Sequence, residues 1–129
     1  MRWRDRTILA AVIAVVMLSL VGGVEAGSHD DAYAAYNRGD YATATRLWRP
    51  FAEQGVVQAQ YNLGLMYYEG RGVPQDYVTA HKWFNLSTSR FPPGDNRDKA
   101  VKNRDIVARY MTASQIAEAQ RLARTWQPK

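Results

Sequence analysis

No cysteine occurs among the 129 residues. The chain therefore forms no disulfide and no thiolate metal site, and it offers no cysteine for lipid attachment at a leader boundary. Histidine is nearly as scarce, with only His29 and His81. No Ser/His/Asp or Cys/His set is readable, and no nucleophile-elbow pattern is present. No stretch alternates apolar and polar residues with period two, so nothing reads as a half-buried strand. Basic residues exceed acidic ones by 17 to 12, but the excess is scattered among acids. Nucleic-acid binding asks for a clustered basic stripe, and no nucleic-acid partner is expected.

What is present in quantity is apolar surface. Hydrophobic residues make up 47% of the chain and aromatics 12%, far above the composition of a disordered chain. The length allows one domain at most. The one long apolar run, Ile8 to Val21, follows a basic start at Arg2, Arg4 and Arg6. Gly22-Gly23 then breaks it, and Val24-Glu25-Ala26 places small residues at −3 and −1 of a cleavage site. Residues 1–26 therefore read as a signal peptide, with an uncleaved membrane anchor as the competing reading. Either places residues 27–129 outside the cytoplasm, in the periplasm or secreted, or anchored to the inner membrane and facing the periplasm. Any membrane contact is expected through the N-terminal segment alone. The segment carries three arginines against Asp5 and Glu25, so +4 of the formal +5 remains on the rest.

The remainder reads as helix throughout. Asp30 to Arg38 is a short helix followed by Gly39. Asp40 caps a second, YATATRLWRPFAEQ, with Tyr41, Ala44, Leu47, Trp48 and Ala52 on one face. Pro50 lies inside it and removes a backbone donor, which predicts a kink or an early break. Val57 to Glu69 and Asp76 to Ser89 form the next pair. Between them Gly70-Arg71-Gly72 stops the first helix, and Val73-Pro74 keeps the chain extended. Gly64 interrupts the first of these helices at a cost of about 1 kcal/mol relative to alanine. Close approach of a neighbouring helix is the expected compensation. Asp95 or Asn96 is expected to cap a fifth helix running to about Met111, with Asp98/Lys102 and Asp105/Arg109 pairs at i, i+4. Thr112-Ala113-Ser114-Gln115 matches a capping box that opens a sixth.

An internal repeat links the pairs. GDYATATRLW (39–48) aligns with QDYVTAHKWF (75–84) at an offset of 36 residues, matching Asp40 with Asp76, Tyr41 with Tyr77, Thr43 with Thr79 and Ala44 with Ala80. A period of that size, with two helices per unit, signals a helical solenoid. One hairpin cannot bury its own apolar face, and about three stacked units are the minimum for stability. Six helices supply three.

At Ala59, Leu63, Gly64, Tyr67, Gly70, Gly72, Val73, Asp76, Ala80 and Trp83 the chain resembles the Sel-one-like repeat family, relatives of the tetratricopeptide solenoids. The matched pattern is A-x-x-x-L-G-x-x-Y, G-x-G-V and D-x-x-x-A-x-x-W, with its spacing intact. The first unit matches only in its second helix. The last lacks the G-x-G-V loop and ends in MTASQIAEAQRLARTW, similar to the capping helix of small exported bacterial members. The resemblance implies an all-α, short right-handed solenoid of about three antiparallel hairpins. It also implies a non-catalytic scaffold or adaptor that binds an unidentified protein or peptide, with no shared catalytic residues, cofactor or metal.

Individual residues point the same way. Gly70-Arg71-Gly72 lacks the Lys-Ser/Thr and the preceding strand of a phosphate loop and reads as a turn. His29-Asp30-Asp31 has no second histidine nearby for metal ligation. His81 reads as a helix residue at the edge of the apolar face. Glu53, Glu69 and Glu118 lie in separate helices, and only their pairing across a groove would support glycosidic chemistry. The Gln58-to-Glu69 helix is apolar nearly all round, so it is buried on two sides. First helices of such hairpins line the concave side in related repeats, which makes Asn62, Leu65 and Glu69 the expected lining of a partner groove. Two alternatives stand beside the scaffold. A cell-wall hydrolase on the same frame would show paired carboxylates or a histidine beside a hydroxyl in that groove. An accessory subunit of an envelope complex would show a large apolar patch on a convex or end face.

Overall fold

A computed structural model describes residues 27–129, and the expected signal peptide with its anchor alternative lies outside them. The described residues form six helices and no strand: α1 (His29–Asn37), α2 (Tyr41–Gln54), α3 (Val57–Glu69), α4 (Tyr77–Arg90), α5 (Asp95–Ala108) and α6 (Ala113–Thr125). None of these helices is long and apolar enough to cross a membrane.

Short polar side chains set where most of the helices begin. The Asp40 carboxylate accepts from Thr43 N at 3.3 Å, and Asp76 accepts from Thr79 N at 3.1 Å. The 36-residue repeat thus recurs as the same cap at α2 and α4, with Ala44 and Ala80 fully buried one turn on. Thr112 and Gln115 form the expected box, at 3.1 and 2.9 Å. Ser28 and Asp31 form a second box at α1, at 3.1 and 2.8 Å, so that helix starts one residue earlier than its acids suggest.

Three local expectations are corrected. Pro50 does not break α2, which continues to Gln54. The last turn is held from outside: Ala52 is fully buried, its carbonyl accepts from Gln60 Nε2 at 3.1 Å, and the Phe51 carbonyl accepts from Val56 N at 2.9 Å. Neither Asp95 nor Asn96 caps α5. Gly94 does, at φ 145°, a backbone conformation that disfavours side chains, and Asp95 falls in the first turn where its charge suits the positive helix end. Asp105 meets Arg104 at 3.1 Å instead of Arg109.

The closely packed pairs are α1–α2, α2–α3, α3–α4, α4–α5 and α4–α6. The first two hairpins follow the repeat. The third pair differs, because α5 and α6 each pack on α4 and are not themselves a close pair. Only Ala100 and Val107 of α5 are fully buried, too little apolar surface to hold a second helix. α6 instead closes the end of the main core, where Ala123 and Trp126 pack against the cluster that includes Ala52, Trp83 and Leu86. The Arg90 guanidinium lies 4.6 Å from the Trp126 ring centroid, and Lys129 N donates to the Glu53 carbonyl at 2.8 Å. A smaller cluster of Ala80, Phe84 and Val107 joins α4 to α5.

Candidate partner-binding groove

The recurring motif residues of the second unit are occupied in holding helices together. Leu63 and Ala80 are fully buried and Trp83 nearly so. Gly64 lies under the Phe84 ring of α4. Tyr67 Oη accepts from Arg49 Nη2 of α2 at 2.9 Å. Gly70 ends α3 in the left-handed region. Gly72, at φ 72°, faces the backbone of Tyr41 and Ala42 so closely that a Cβ there would collide with the Tyr41 carbonyl. The glycine loop therefore does more than turn the chain: it presses the second unit onto the start of α2. Arg71 reinforces that joint. Its Nη1 donates to Tyr36 Oη at 3.3 Å and Tyr41 Oη at 3.4 Å, its Nε pairs with Glu69 at 2.8 Å, and its carbonyl accepts from Thr45 Oγ1 at 3.3 Å.

The space left between α1 and α3 is different in kind. These two helices are not a close pair, and an open cavity of about 230 Å³ lies between them. Tyr33, Tyr36 and Asn37 line it from α1, at i, i+3 and i+4, which sets them on one helix face. Asn62, Leu65 and Met66 line it from α3 with the same spacing. Trp48 of α2 lies against both tyrosines, 5.3 Å from the Tyr33 ring and 5.8 Å from the Tyr36 ring. A hydrogen bond from Asn62 Nδ2 to Tyr33 Oη, 3.1 Å, spans the two walls. Asn62 also accepts from Gln58 Nε2 at 3.1 Å, so its amide is held at both ends.

Of the three residues expected to line a groove, the structure brings Asn62 and Leu65 together in this cavity. Asn62 is buried, whereas Leu65 is partly open. Glu69 lies one turn further on, exposed and paired with Arg71, and does not line it. The α1 residues and Trp48 were not legible as lining. Tyr33, Tyr36 and Asn37 share a helix face in the sequence, but nothing there says that this face meets α3 across a gap.

Among the described residues, the cavity wall contains neither carboxylate nor imidazole, so it offers no acid–base pair. Glu69 and Glu118 are each tied to an arginine, and the Arg121 hydrogen bonds hold the Glu118 carboxyl below the usual range. His29 packs between the Tyr33 and Phe51 rings, at 5.3 and 5.5 Å. His81 is buried on α4, and its Nδ1 has no partner among the described residues. Burial, reinforced by Arg104 and opposed by Asp105, pushes its pKa down. Burial and Arg104 thus disfavour the charged form of this imidazole.

Residues 57–90 match the Sel1 repeat. A solved structure of similar fold is that of a protective antigen present in uropathogenic Escherichia coli strains, described as displaying an SLR fold. It is 38% identical, with a TM-score of 0.58 over 67% of this chain and 18% of that one. The chain thus spans less than a fifth of the length of that relative. No curated protein matches it.

Proposed function

This chain is a Sel1-like repeat helical protein, of a class that generally mediates protein–protein interaction, and we propose that it binds a protein segment in the groove between α1 and α3. The observation that carries the reading is the division of labour between positions. The repeat's recurring residues are spent on packing one unit against the next. The cavity is lined instead by residues outside that pattern (Tyr33, Asn62 and Leu65 among them), and of its lining Tyr33, Asn37 and Leu65 are open to a partner. The signal-peptide pattern of residues 1–26 supports action outside the cytoplasm, in the periplasm or beyond it. The chain is proposed to act there as a scaffold and not as an enzyme, since the groove supplies no paired carboxylates for hydrolysis.

The accessory-subunit reading has one observation in its favour. Tyr110 is 60% exposed and stacks on Tyr77 with ring centroids 5.4 Å apart, and Tyr68 lies beside both. This aromatic patch is at the α4–α5 edge, away from the cavity.

Crosslinking in intact cells followed by mass spectrometry separates the two. Groove binding predicts one dominant protein adduct that is lost on Leu65→Asp and kept on Tyr110→Ser. The opposite pattern, with both variants folded by circular dichroism, assigns binding to the tyrosine patch.

A further inference from the structure

We propose that the outer face of α5 is a self-complementary docking surface on which a second copy of this chain lies antiparallel, helix against helix. This face shares no residue with the α1–α3 groove and is independent of what the groove binds.

The helix is covered on one side only. Its closely packed neighbour is α4, and α6 does not close over it. Asp98, Val101, Lys102, Asp105, Ile106 and Arg109 line a single open groove along α5, at the i, i+3 and i+4 spacings of one helix face. The four charged residues are exposed, and Val101 and Ile106 are half-buried.

These charges are not spent within the chain. Neither i, i+4 pair expected on this helix forms. The ion pairs among the described residues are Arg38–Asp40, Glu69–Arg71, Arg104–Asp105 and Glu118–Arg121, so Asp98, Lys102 and Arg109 enter none. Asp105 is engaged through Oδ1 alone, by Arg104 at 3.1 and 3.2 Å, which leaves its Oδ2 for another cation.

The order of the charges selects the occupant. Along α5 they run Asp98, Lys102, Asp105, Arg109, acid and base in alternation. A uniformly acidic or basic partner would meet a like charge at every second position, which is unfavourable. A second copy laid parallel would set every charge against itself. Laid antiparallel it is complementary throughout, because the line read backwards exchanges acid for base.

The spacing agrees with the order. Asp98 and Arg109 lie equally far from a point between Asn103 and Arg104, as do Lys102 and Asp105. A two-fold axis through that point brings Asp98 level with the partner's Arg109, and Lys102 level with the partner's Asp105, each pair formed twice. Val101 and Ile106 are also equally far from it and flank the line on opposite edges. Each edge therefore carries the same apolar residue from both copies. Water sets no condition on the order of exposed charges, whereas a two-fold axis does.

So small an apolar contribution is far less than a permanent interface buries, and exposed ion pairs are individually weak and screened by salt. The dimer is therefore transient, and the experiment traps it. The chain has no cysteine of its own, so introduced thiols are its only ones. Full-length chains carrying Asp98→Cys and Arg109→Cys are mixed and oxidised at low salt, and linked dimer is read on a non-reducing gel. The antiparallel register sets these two thiols level, within the roughly 7 Å between Cα atoms that a disulfide spans. Two copies of the same variant hold theirs about 16 Å apart along the helix axis.

The expected result is a yield from the mixture at least tenfold above that from either variant alone, or from Arg46→Cys mixed with Arg109→Cys. Lys102→Glu in both chains, an exposed change whose fold is checked by circular dichroism, should cut the yield at least fivefold. Equal yield from the Arg46→Cys control, as association through the apolar N-terminal run would give, overturns the proposal. So does linked dimer from Asp98→Cys alone, which marks a parallel arrangement, or a yield that Lys102→Glu leaves unchanged.

Discussion

The Phe84 ring lies where a side chain on Gly64 would begin. A Cβ built on Gly64 falls 2.6 Å from both Cδ1 and Cε1 of Phe84, and Phe84 is fully buried, so the ring has little room to withdraw. The glycine's cost within α3 is the condition for α4 to pack at this distance. Gly64→Ala gains about 1 kcal/mol of helix propensity and should still lose stability overall, by about 1–2 kcal/mol, because overpacking a filled core costs more than that gain. Chemical denaturation of Gly64→Ala, of Phe84→Leu and of the double variant checks this. The second change should restore part of the loss, and simple additivity would mean that the two residues do not share the space.

The two loop glycines should differ in importance. Both have positive φ, but a Cβ on Gly70 meets the Gln75 side chain and backbone no closer than 3.2 Å, whereas one on Gly72 runs into the backbone of Tyr41 and Ala42. Gly70→Ala should cost about 1 kcal/mol and Gly72→Ala at least about 2 kcal/mol. The measurement is the unfolding free energy of each, and equal losses would remove the inter-unit role given to Gly72.

Pro50→Ala is expected to stabilise the chain. The helix passes through Pro50 without ending, so the substitution restores a donor and relieves a clash worth about 3 kcal/mol in a helix interior. Part of that is offset, because the unfolded chain regains freedom worth about 0.4–1 kcal/mol. A net gain of about 1–2 kcal/mol in denaturant unfolding is predicted, and any loss would mean that Pro50 has a packing role of its own.

His81 should make stability pH-dependent. Its pKa is lowered in the folded state by burial and by Arg104, so the unfolded chain binds the extra proton first. Its contribution is fully present above the ordinary histidine range, near pH 6.5, and is lost as pH falls through that range towards the folded pKa. Between pH 7.5 and 5.5 the wild type should lose stability more steeply than His81→Leu. Identical slopes would contradict the assignment.

The sequence carried the fold further than it carried the site, for physical reasons. Helix starts are local: Asp40, Asp76 and the Thr112–Gln115 box each satisfy backbone donors within three residues, so spacing alone reveals them. The 36-residue repeat revealed the hairpins because like units bury like faces, as Ala44 and Ala80 do. Pro50 was misread because its helix is stabilised by Gln60, eight residues from the carbonyl that it satisfies, and no local pattern encodes that contact. The third unit departs from the repeat, as its missing G-x-G-V loop suggests, because α6 follows α5 in the chain but finds its apolar partners on α4. The groove was legible on one wall only. Asn62 and Leu65 stand out on α3, but their counterparts on α1 and the floor at Trp48 depend on how far apart the two helices stand.

The central claim is that the face between α1 and α3 carries the partner. The most direct measurement places a photo-crosslinking amino acid in turn at Asn37 and Leu65 in the groove, and at Arg46 and Arg121 on exposed positions outside its lining, in cells that make the full-length protein. A protein adduct common to both groove positions, absent from Arg46 and Arg121 and suppressed by Asn37→Trp in the Leu65 probe, is the predicted result. The same adduct from the outer positions, or none from the groove, would contradict it.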